Sequence, residues 1–230
     1  CALALWIGIA SEARAQSPVV VELFTAQGCS SCPPADEILH ELAGREDVIA
    51  LALHVDYWDY IGWQDSFADP AHAERQRGYA TVAARRSIYT PQMIVNGTSD
   101  VVGAKPMQLA KAIAAHAATP ALIEMQIARV PAADEIMIEA RAGQGVDLAA
   151  PLSVYLVQYT PLREAEITRG ENAGNTFQYA HVVESWQSLG TWNGRAPLNM
   201  RAALSDAVQP VVVLIQEGAH GPIHAAARLR

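Results

Sequence analysis

Two cysteines three positions apart are the residues of this sequence best suited to chemistry. Cys29 and Cys32 enclose Ser30-Ser31, after a β-branched apolar run and before a helical pattern. Backbone N–H groups and the dipole at a helix start stabilise a thiolate and lower the pKa of a cysteine placed there. Cys29 is therefore predicted to attack a disulfide, and Cys32 is predicted to resolve the resulting mixed disulfide.

Other chemistries also use a Cys-x-x-Cys pair. A structural zinc site needs four ligands, and the sequence contains no second Cys-x-x-Cys and no histidine-rich partner. Attachment of c-type haem needs a histidine directly after the second cysteine, where this chain has Pro33. Two alternatives stay open: a binding protein with an inert structural disulfide, and a metal-binding or metallochaperone protein that uses Cys29, Cys32 and His54.

The elements that must position the pair follow from periodicity and turn residues. Pro33 and Pro34 suit the first turn of a helix, where no amide donor is needed, and Gly44 is predicted to end that helix. The predicted elements are strands at 19–25 and 48–55, helices at 32–42, 71–85 and 106–118, and a hairpin over 92–102. Together they predict an α/β domain over residues 17–119.

The hydrophobic period changes to two after Thr119-Pro120. Ile123, Met125 and Ile127 alternate with less apolar residues. Further strands are predicted at 136–138, 152–159, 211–216 and 223–229. Strands without long helices between them predict an antiparallel sheet or sandwich, so residues 120–230 are expected to form a β-rich second domain.

Thr90-Pro91 before a strand, together with the β-CxxC-α start, resembles the thioredoxin fold. In that family a cis-proline faces the CxxC pair; Pro91 matches this position, and Thr90 is assigned to substrate binding with it. Longer motifs resemble a secreted bacterial thioredoxin-like family that is catalogued as a domain of unknown function. These motifs are FTAQGCSSCPPAD (24–36), HVDYWD (54–59), YTPQ (89–92) and RGEN (169–172). The resemblance implies a thioredoxin-like domain followed by the β-rich domain, and it implies no particular substrate.

Three polar residues are candidates for assisting the pair. Glu22 lies on the first strand, near the place where thioredoxin has a buried carboxylate that moves protons for the resolving cysteine. The resemblance therefore implies a proton carrier, and the alternative is a strand residue that faces solvent. His54 and Asp56 point to the same side of a strand end. They would tune Cys29, bind a metal with it, or hold the next loop by hydrogen bonds, which is the favoured interpretation. Both are also assigned to substrate binding, with Thr90 and Trp58.

The segment 56–69 alternates aromatic and acidic residues, which indicates an ordered loop. Its aromatic residues would line a substrate groove or cover the core, and Trp58 is the one assigned to substrate binding. The aromatic residues are Tyr57, Trp58, Tyr60 and Trp63. Nearby arginines are expected to pair with acids of this loop. The arginines are Arg75, Arg77, Arg85 and Arg86, and the acids are Asp56, Asp59 and Asp65.

Polar residues of the second half are expected to be structural. Glu171 and Asn172 lie between two glycines and are expected to shape a turn. A role for them at the CxxC pair would require the second domain to fold back over it. His220 and His224 are expected at the surface or at strand ends.

The first ten residues are apolar apart from Gly8, and they precede Ala13-Arg14-Ala15. This order resembles the end of a secretory signal peptide cleaved after Ala15, with an ordinary N-terminal helix as the alternative. Residues 1–15 are therefore expected to be a leader remnant, and the mature chain is expected to be periplasmic or secreted. Disulfides persist in such compartments, and the mature chain would keep only Cys29 and Cys32.

The composition narrows the class of function. A hydrophobic fraction of 51% is too high for disorder, and three cysteines in 230 residues are too few for a disulfide-stapled scaffold. A net charge of −8 with only two lysines disfavours a nucleic-acid or anionic-membrane surface. No organic cofactor, no metal and no membrane span of the mature chain are expected. The expected partner is a protein that carries thiols or disulfides.

Overall fold

The computed structural model of the chain describes residues 17–146, 148 and 151–230. The expected leader, residues 1–15, lies outside the described residues. Within these ranges, no helix is both long and apolar enough to cross a membrane.

The described residues form three α-helices and eleven β-strands. The helices are α1 (Pro33–Ala43), α2 (Pro70–Val82) and α3 (Pro106–Ala117). The strands are β1 (Val19–Thr25), β2 (Val48–His54), β3 (Gln92–Val95), β4 (Ser99–Val102), β5 (Ile123–Arg129), β6 (Glu135–Ala142), β7 (Leu152–Ile167), β8 (Asn175–Trp192), β9 (Leu198–Ala203), β10 (Val211–Glu217) and β11 (Ile223–Leu229). The chain is therefore a mixed α/β protein dominated by sheet.

Strands from both halves of the chain join one eight-stranded sheet. Its order is β11-β10-β7-β8-β2-β1-β3-β4. β2 is parallel to β1 on one side and to β8 on the other, and it meets β8 at Ala52 and Val182. The prediction separated residues 17–119 from residues 120–230, but this sheet takes strands from both ranges. Periodicity indicates a strand without indicating its neighbour, so the shared sheet was not visible in the sequence pattern.

Three apolar clusters hold these layers together. α1 and α3 pack on one face of the sheet around Val21 and Leu23 of β1. Phe24 of the same strand points to the opposite face and packs in a cluster that contains both cysteines of the CxxC pair. A second sheet of β5, β6 and β9 packs against β7, β10 and β11. The CxxC pair therefore lies in the largest core and not on a peripheral loop.

The helix that follows the pair forms for local reasons. Pro33 and Pro34 occupy the first turn of α1, where the amide groups have no intrahelical acceptor. Ala35, Leu39 and Leu42 recur at helical spacing and bury one face against the sheet. Because α1 begins directly after β1 and the CxxC loop, the pair lies at the positive end of the helix dipole.

Candidate active site

Cys29 and Cys32 form a disulfide at the start of α1. Their sulfur atoms are 2.10 Å apart and their Cα atoms are 5.4 Å apart. Cys32 is the N-cap residue of the helix, and the Asp36 amide donates to its carbonyl oxygen at 3.1 Å. Both cysteines are 0% exposed, whereas Ser30 and Ser31 between them are exposed. The disulfide is thus sealed in this conformation beneath a polar surface turn.

The aromatic loop after β2 covers one side of the CxxC loop. A Cβ placed on Gly28 would lie 3.1 Å from Ile61 Cδ1 and 3.6 Å from Trp58 Cβ. The Trp58 indole N–H donates to Thr90 Oγ1 at 2.7 Å. Trp58 therefore connects the CxxC loop with the segment that contains Pro91, although its ring also packs against the core.

Pro91 lies at the same end of the sheet as the CxxC loop. The Thr90–Pro91 peptide bond is cis, and Pro91 is buried. β3 begins one residue later, and its Gln92 pairs with Phe24 near the end of β1. The register between β1 and β3 therefore brings Pro91 beside the chain that enters the CxxC loop.

A turn from the second half of the chain contacts the CxxC loop directly. Asn172 Nδ2 donates to the carbonyl oxygens of Gln27 at 2.8 Å and of Cys29 at 3.1 Å. Ser30 Oγ donates to Glu171 Oε2 at 2.6 Å. The expectation that Glu171 and Asn172 only shape a turn is wrong. The β7–β8 turn (residues 168–174) does fold back, because β8 is placed in the sheet beside β2.

His54 is held at the end of β2 by an acid of the aromatic loop. It is 0% exposed, and its Nδ1 is hydrogen-bonded to Asp65 Oδ2 at 2.8 Å. The same carboxylate accepts the backbone amides of Gln27 at 2.7 Å and Phe67 at 2.8 Å. Burial raises the pKa of Asp65, but the charge of His54 and these hydrogen bonds bring it below its ordinary value. Asp56, expected beside His54, is half-exposed at the start of the loop.

Asp36 is a buried acid in the first turn of α1. Only 7% of the residue is exposed. Burial raises its pKa to about 7, against the lowering by the His54 charge and the Thr25 hydroxyl, while Asp65 raises it further. Asp36 Oδ1, Thr25 Oγ1 and His54 Nε2 have no hydrogen bond of normal geometry to any described residue. Tyr179 of β8 closes this space, with its ring 4.8 Å from that of His54.

Glu22 is committed to a buried ion pair. It is 0% exposed, which excludes a solvent-facing residue. Arg75 donates to its carboxylate at 2.6 Å and 3.0 Å, and the Tyr79 hydroxyl donates to it at 2.6 Å. The Arg75 guanidinium also lies 3.9 Å from the centre of the Trp186 ring. Two residues of α2 therefore hold the Glu22 carboxylate in place, and Trp186 of β8 packs against the guanidinium that binds it.

The predicted pairing with acids of the aromatic loop is wrong for Arg75, Arg77 and Arg85. Arg75 pairs with Glu22, Arg77 with Glu74 and Arg85 with Asp100. The acid of that loop that enters the interior, Asp65, pairs with His54. Arg75 of α2 points toward the sheet. Among the described residues, Glu22 carries the only buried carboxylate on the side of β1 that faces α2.

Metal ligation finds no support in the arrangement of donors. In the described part of the chain, no group of three or more His, Cys, Asp or Glu side chains is placed so that it could hold a metal ion. His54 already uses Nδ1 for Asp65. The hypothesis of a metal site built from Cys29, Cys32 and His54 therefore rests on the sequence motif alone.

Sequence reasoning overlooked the acid closest to the pair along the helix. Asp36 follows Cys32 by four positions, which is one helical turn, so both lie on the same side of α1. That spacing was the available signal. The contacts of Asp65 and Asn172 with the CxxC loop had no such signal, because they join residues 38 and 143 or more positions apart along the chain.

These features define a mixed α/β protein whose large sheet carries a CxxC disulfide at a helix start. Residues 20–216 match the family described as "Protein of unknown function (DUF1223)", and the chain belongs to that family. No curated protein matches the chain.

Two solved structures are similar to it. The crystal structure of protein AGR_C_4864 from Agrobacterium tumefaciens is 32% identical with a TM-score of 0.79, and the match covers 94% of this chain and 96% of that chain. HBP35 of Porphyromonas gingivalis is 15% identical with a TM-score of 0.65, over 93% of this chain and 75% of that chain. The second likeness is one of fold alone.

Proposed function

We propose that this chain is a thioredoxin-like thiol–disulfide oxidoreductase that acts on thiols or disulfides of other proteins in an oxidising compartment outside the cytoplasm. The observation that carries the proposal is the Cys29–Cys32 disulfide at the N-terminus of α1. A helix start stabilises a cysteine thiolate by its dipole, which is what the attacking residue of an exchange reaction requires.

The reaction follows from the order of the two cysteines. In the reduced protein, the Cys29 thiolate attacks a substrate disulfide, forms a mixed disulfide and releases one substrate thiolate. Cys32 then attacks Cys29 Sγ as a thiolate, forms the Cys29–Cys32 bond and releases the second substrate thiolate. Two electrons have passed from the protein dithiol to the substrate, and the reverse sequence oxidises a substrate dithiol.

We infer that a substrate reaches the pair from the side of the surface turn. The exposed Ser30 and Ser31 separate the sulfur atoms from solvent, and Ser31 Oγ lies 3.4 Å from Cys29 Sγ. The contact between Ser30 and Glu171 is itself exposed, so it is weak and can open. Access to Cys29 therefore requires a local opening of this turn and no unfolding of the sheet.

One observation favours a second function, that of a binding protein with a structural disulfide. Cys29 is 0% exposed, and a sealed disulfide is resistant to exchange. Such a protein would use the aromatic loop, where Tyr60 is 82% exposed, to hold its partner. A reduction potential below about −300 mV is typical of structural disulfides and would support this alternative.

The experiment compares disulfide exchange by the wild type, Cys29→Ala and Cys32→Ser. A two-chain peptide substrate is supplied either with its interchain disulfide intact or as the reduced dithiol, the breaking or forming of that disulfide is monitored, and adducts are identified by mass spectrometry. We expect Cys29→Ala to lose exchange and Cys32→Ser to accumulate a mixed disulfide through Cys29. Exchange that proceeds unchanged in Cys29→Ala would overturn the proposal.

A further inference from the structure

A group of buried polar side chains lies beneath the CxxC loop and takes no part in the exchange steps above. We call it the buried acid cluster; it consists of Thr25, Asp36, His54, Asp65 and Tyr179. Its members come from β1, α1, β2, the aromatic loop and β8. Five elements therefore converge on one small polar space inside the protein.

The buried acid cluster contains polar atoms that the fold leaves without partners. Asp36 Oδ1, Thr25 Oγ1 and His54 Nε2 are inaccessible to solvent and make no hydrogen bond of normal geometry to a described residue, although the Thr25 hydroxyl is close enough to lower the pKa of Asp36. An unpaired buried polar group costs free energy, and nearly all such groups in proteins are paired. Buried groups of this kind need an explanation, and titratable groups perturbed by burial cluster at functional sites.

The buried acid cluster is attached to both sides of the CxxC pair. Asp36 lies one helical turn after Cys32, and its amide donates to the Cys32 carbonyl oxygen. Asp65 accepts the amide of Gln27, two residues before Cys29. A change of charge at either cysteine is therefore expected to act electrostatically on Asp36, because the distance is short and the medium has low polarity.

Glu22, in contrast, is poorly suited to carry a proton for the pair. Arg75 donates two hydrogen bonds to its carboxylate, and the Tyr79 hydroxyl donates a third. Protonating Glu22 would leave the buried Arg75 cation without its counter-charge. Asp36 has no such cation bound to it, so it can exist in both protonation states within the same fold.

We propose that Asp36 holds the proton of the redox cycle, with His54 and Asp65 adjusting how strongly it is held. In the resolving step, the Cys32 thiol gives its proton to the Asp36 carboxylate and attacks Cys29 Sγ as a thiolate. The Cys29–substrate bond breaks, the Cys29–Cys32 bond forms, and the substrate leaves as a thiolate. In the reverse step, Asp36 returns the proton to Cys32. This inference rests on the proposed function.

The electrostatics of the cluster agree with this assignment. Burial raises the pKa of Asp36 to about 7, near which a proton acceptor can both accept and release. The charged groups that face it are His54 from β2, Asp65 from the aromatic loop and Glu37 from α1 itself. Tyr179 faces it from β8, and its own pKa is raised by burial and by the two acids, so it stays neutral.

The first test measures how the reduction of the Cys29–Cys32 pair depends on pH. The equilibrium with a dithiothreitol redox buffer is followed from about pH 5 to about pH 9 in the wild type, Asp36→Asn and Glu37→Gln. Glu37→Gln is the matched control, because it removes one exposed carboxylate from the same helical turn. The isosteric Asp36→Asn removes a buried charge and keeps the shape of the side chain.

The expected result is an extra pH dependence of the reduction equilibrium, present in the wild type and in Glu37→Gln and absent in Asp36→Asn. A Cys32 thiolate beside Asp36 adds a negative charge that the disulfide lacks, so it raises the pKa of Asp36 above the value in the oxidised protein. Above about pH 7, the equilibrium constant for reduction should fall by up to an extra factor of about ten per pH unit in the wild type and in Glu37→Gln. The mixed disulfide of Asp36→Asn should also persist about 100-fold longer.

A second variant tests the assignment of His54. In His54→Asn, the side-chain amide can still donate to Asp65 while the Nε2 atom is removed. Because the His54 charge lowers the pKa of Asp36, the carboxyl carbon of Asp36 should titrate at higher pH in this variant when observed by ¹³C NMR of the oxidised protein. A titration at the ordinary pH of aspartate in the wild type would overturn the inference.

Failure of this inference is distinguishable from failure of the proposed function. If exchange requires Cys29 but the pH dependence is the same in Asp36→Asn and the wild type, only the role of Asp36 is overturned. If the wild type exchanges with no substrate, the proposed function fails. The dithiothreitol equilibrium then still decides whether Asp36 is coupled to the pair, because it needs no protein substrate.

Discussion

The side-chain amide of Asn172 donates a hydrogen bond to the carbonyl oxygen of Cys29 at 3.1 Å, across 143 positions of the chain. The same nitrogen donates to the Gln27 carbonyl oxygen at 2.8 Å. Asn172 lies in the β7–β8 turn, which belongs to the second half of the chain. The CxxC loop is therefore held in place by an element that the local sequence around it does not contain.

The first prediction concerns that contact. Asn172→Ala removes the side-chain donor of the Gln27 carbonyl oxygen and leaves the Cys29 carbonyl oxygen with the Cys32 amide, so we expect a loss of about 1–3 kcal/mol in the free energy of unfolding. The freed loop should also expose the disulfide and make its reduction by dithiothreitol faster. Denaturant unfolding and thiol release measure the two effects. Asn175→Ala is the control, since its side chain bonds within the same turn at 3.0 Å. Equal reduction rates in both variants would argue against this role.

The second prediction concerns the ion pair between Glu22 and Arg75. Glu22→Gln removes the counter-charge of a buried cation, so we expect it to lower the free energy of unfolding by about 3–5 kcal/mol. Glu74→Gln removes the exposed partner of Arg77 on the same helix, and this should cost no more than about 1 kcal/mol. Urea unfolding of both variants provides the comparison. A loss in Glu22→Gln as small as that in Glu74→Gln would contradict the prediction.

The third prediction concerns the pH dependence of stability. Burial raises the folded-state pKa of Asp36 from 3.8 to about 7, so between these values the folded protein binds a proton that the unfolded chain has lost. Wild-type stability should therefore lose a contribution as pH rises through this window and level off above it. Relative to the wild type, Asp36→Asn should gain roughly 4 kcal/mol between about pH 4 and about pH 8.

Denaturant unfolding of the oxidised protein at each pH measures that difference. Glu37→Gln serves again as the control, because Glu37 is exposed on the same helix. A difference between Asp36→Asn and the wild type that does not change with pH would show that Asp36 is already ionised in the folded state.

The fourth prediction concerns the contact between α2 and the connection from β10 to β11. A Cβ placed on Gly78 would overlap the ring of His220, which is also 5.7 Å from the Tyr79 ring. Gly78→Ala, normally favourable inside a helix, is therefore expected to destabilise the protein by about 1–3 kcal/mol. The double variant Gly78→Ala/His220→Ala should recover most of this loss in thermal unfolding. Without such recovery, the overlap would not be the cause.

Local patterns were sufficient for the elements that carry the CxxC pair. β1 was predicted at 19–25 and forms at Val19–Thr25, and α1 begins at Pro33 and is capped at Gly44. These features depend on residues within one or two turns of each other. Periodicity, proline at a first turn and glycine at a helix end act over that range, so these elements can be predicted from the sequence alone.

The surroundings of the pair depend on long-range packing. Spacing in the sequence could not predict the burial of Glu22 or the position of Asn172. It also could not predict which carboxylate Arg75 would bind. Each outcome depends on β8 pairing with β2 and on the register of the strands beside it. Backbone donors and acceptors are the same at every strand edge, and the choice among neighbours is made by packing of side chains distant in sequence.

The sequence alone thus determined a cysteine pair at a helix start, together with the strands and helices that hold it. Only the tertiary structure decided that the pair is sealed, that Glu22 is neutralised by Arg75, and that Asp36 is buried near His54. The physical reason is that thiolate stabilisation at a helix start is a local property. Burial and the pKa of a carboxyl depend on every element that packs around it.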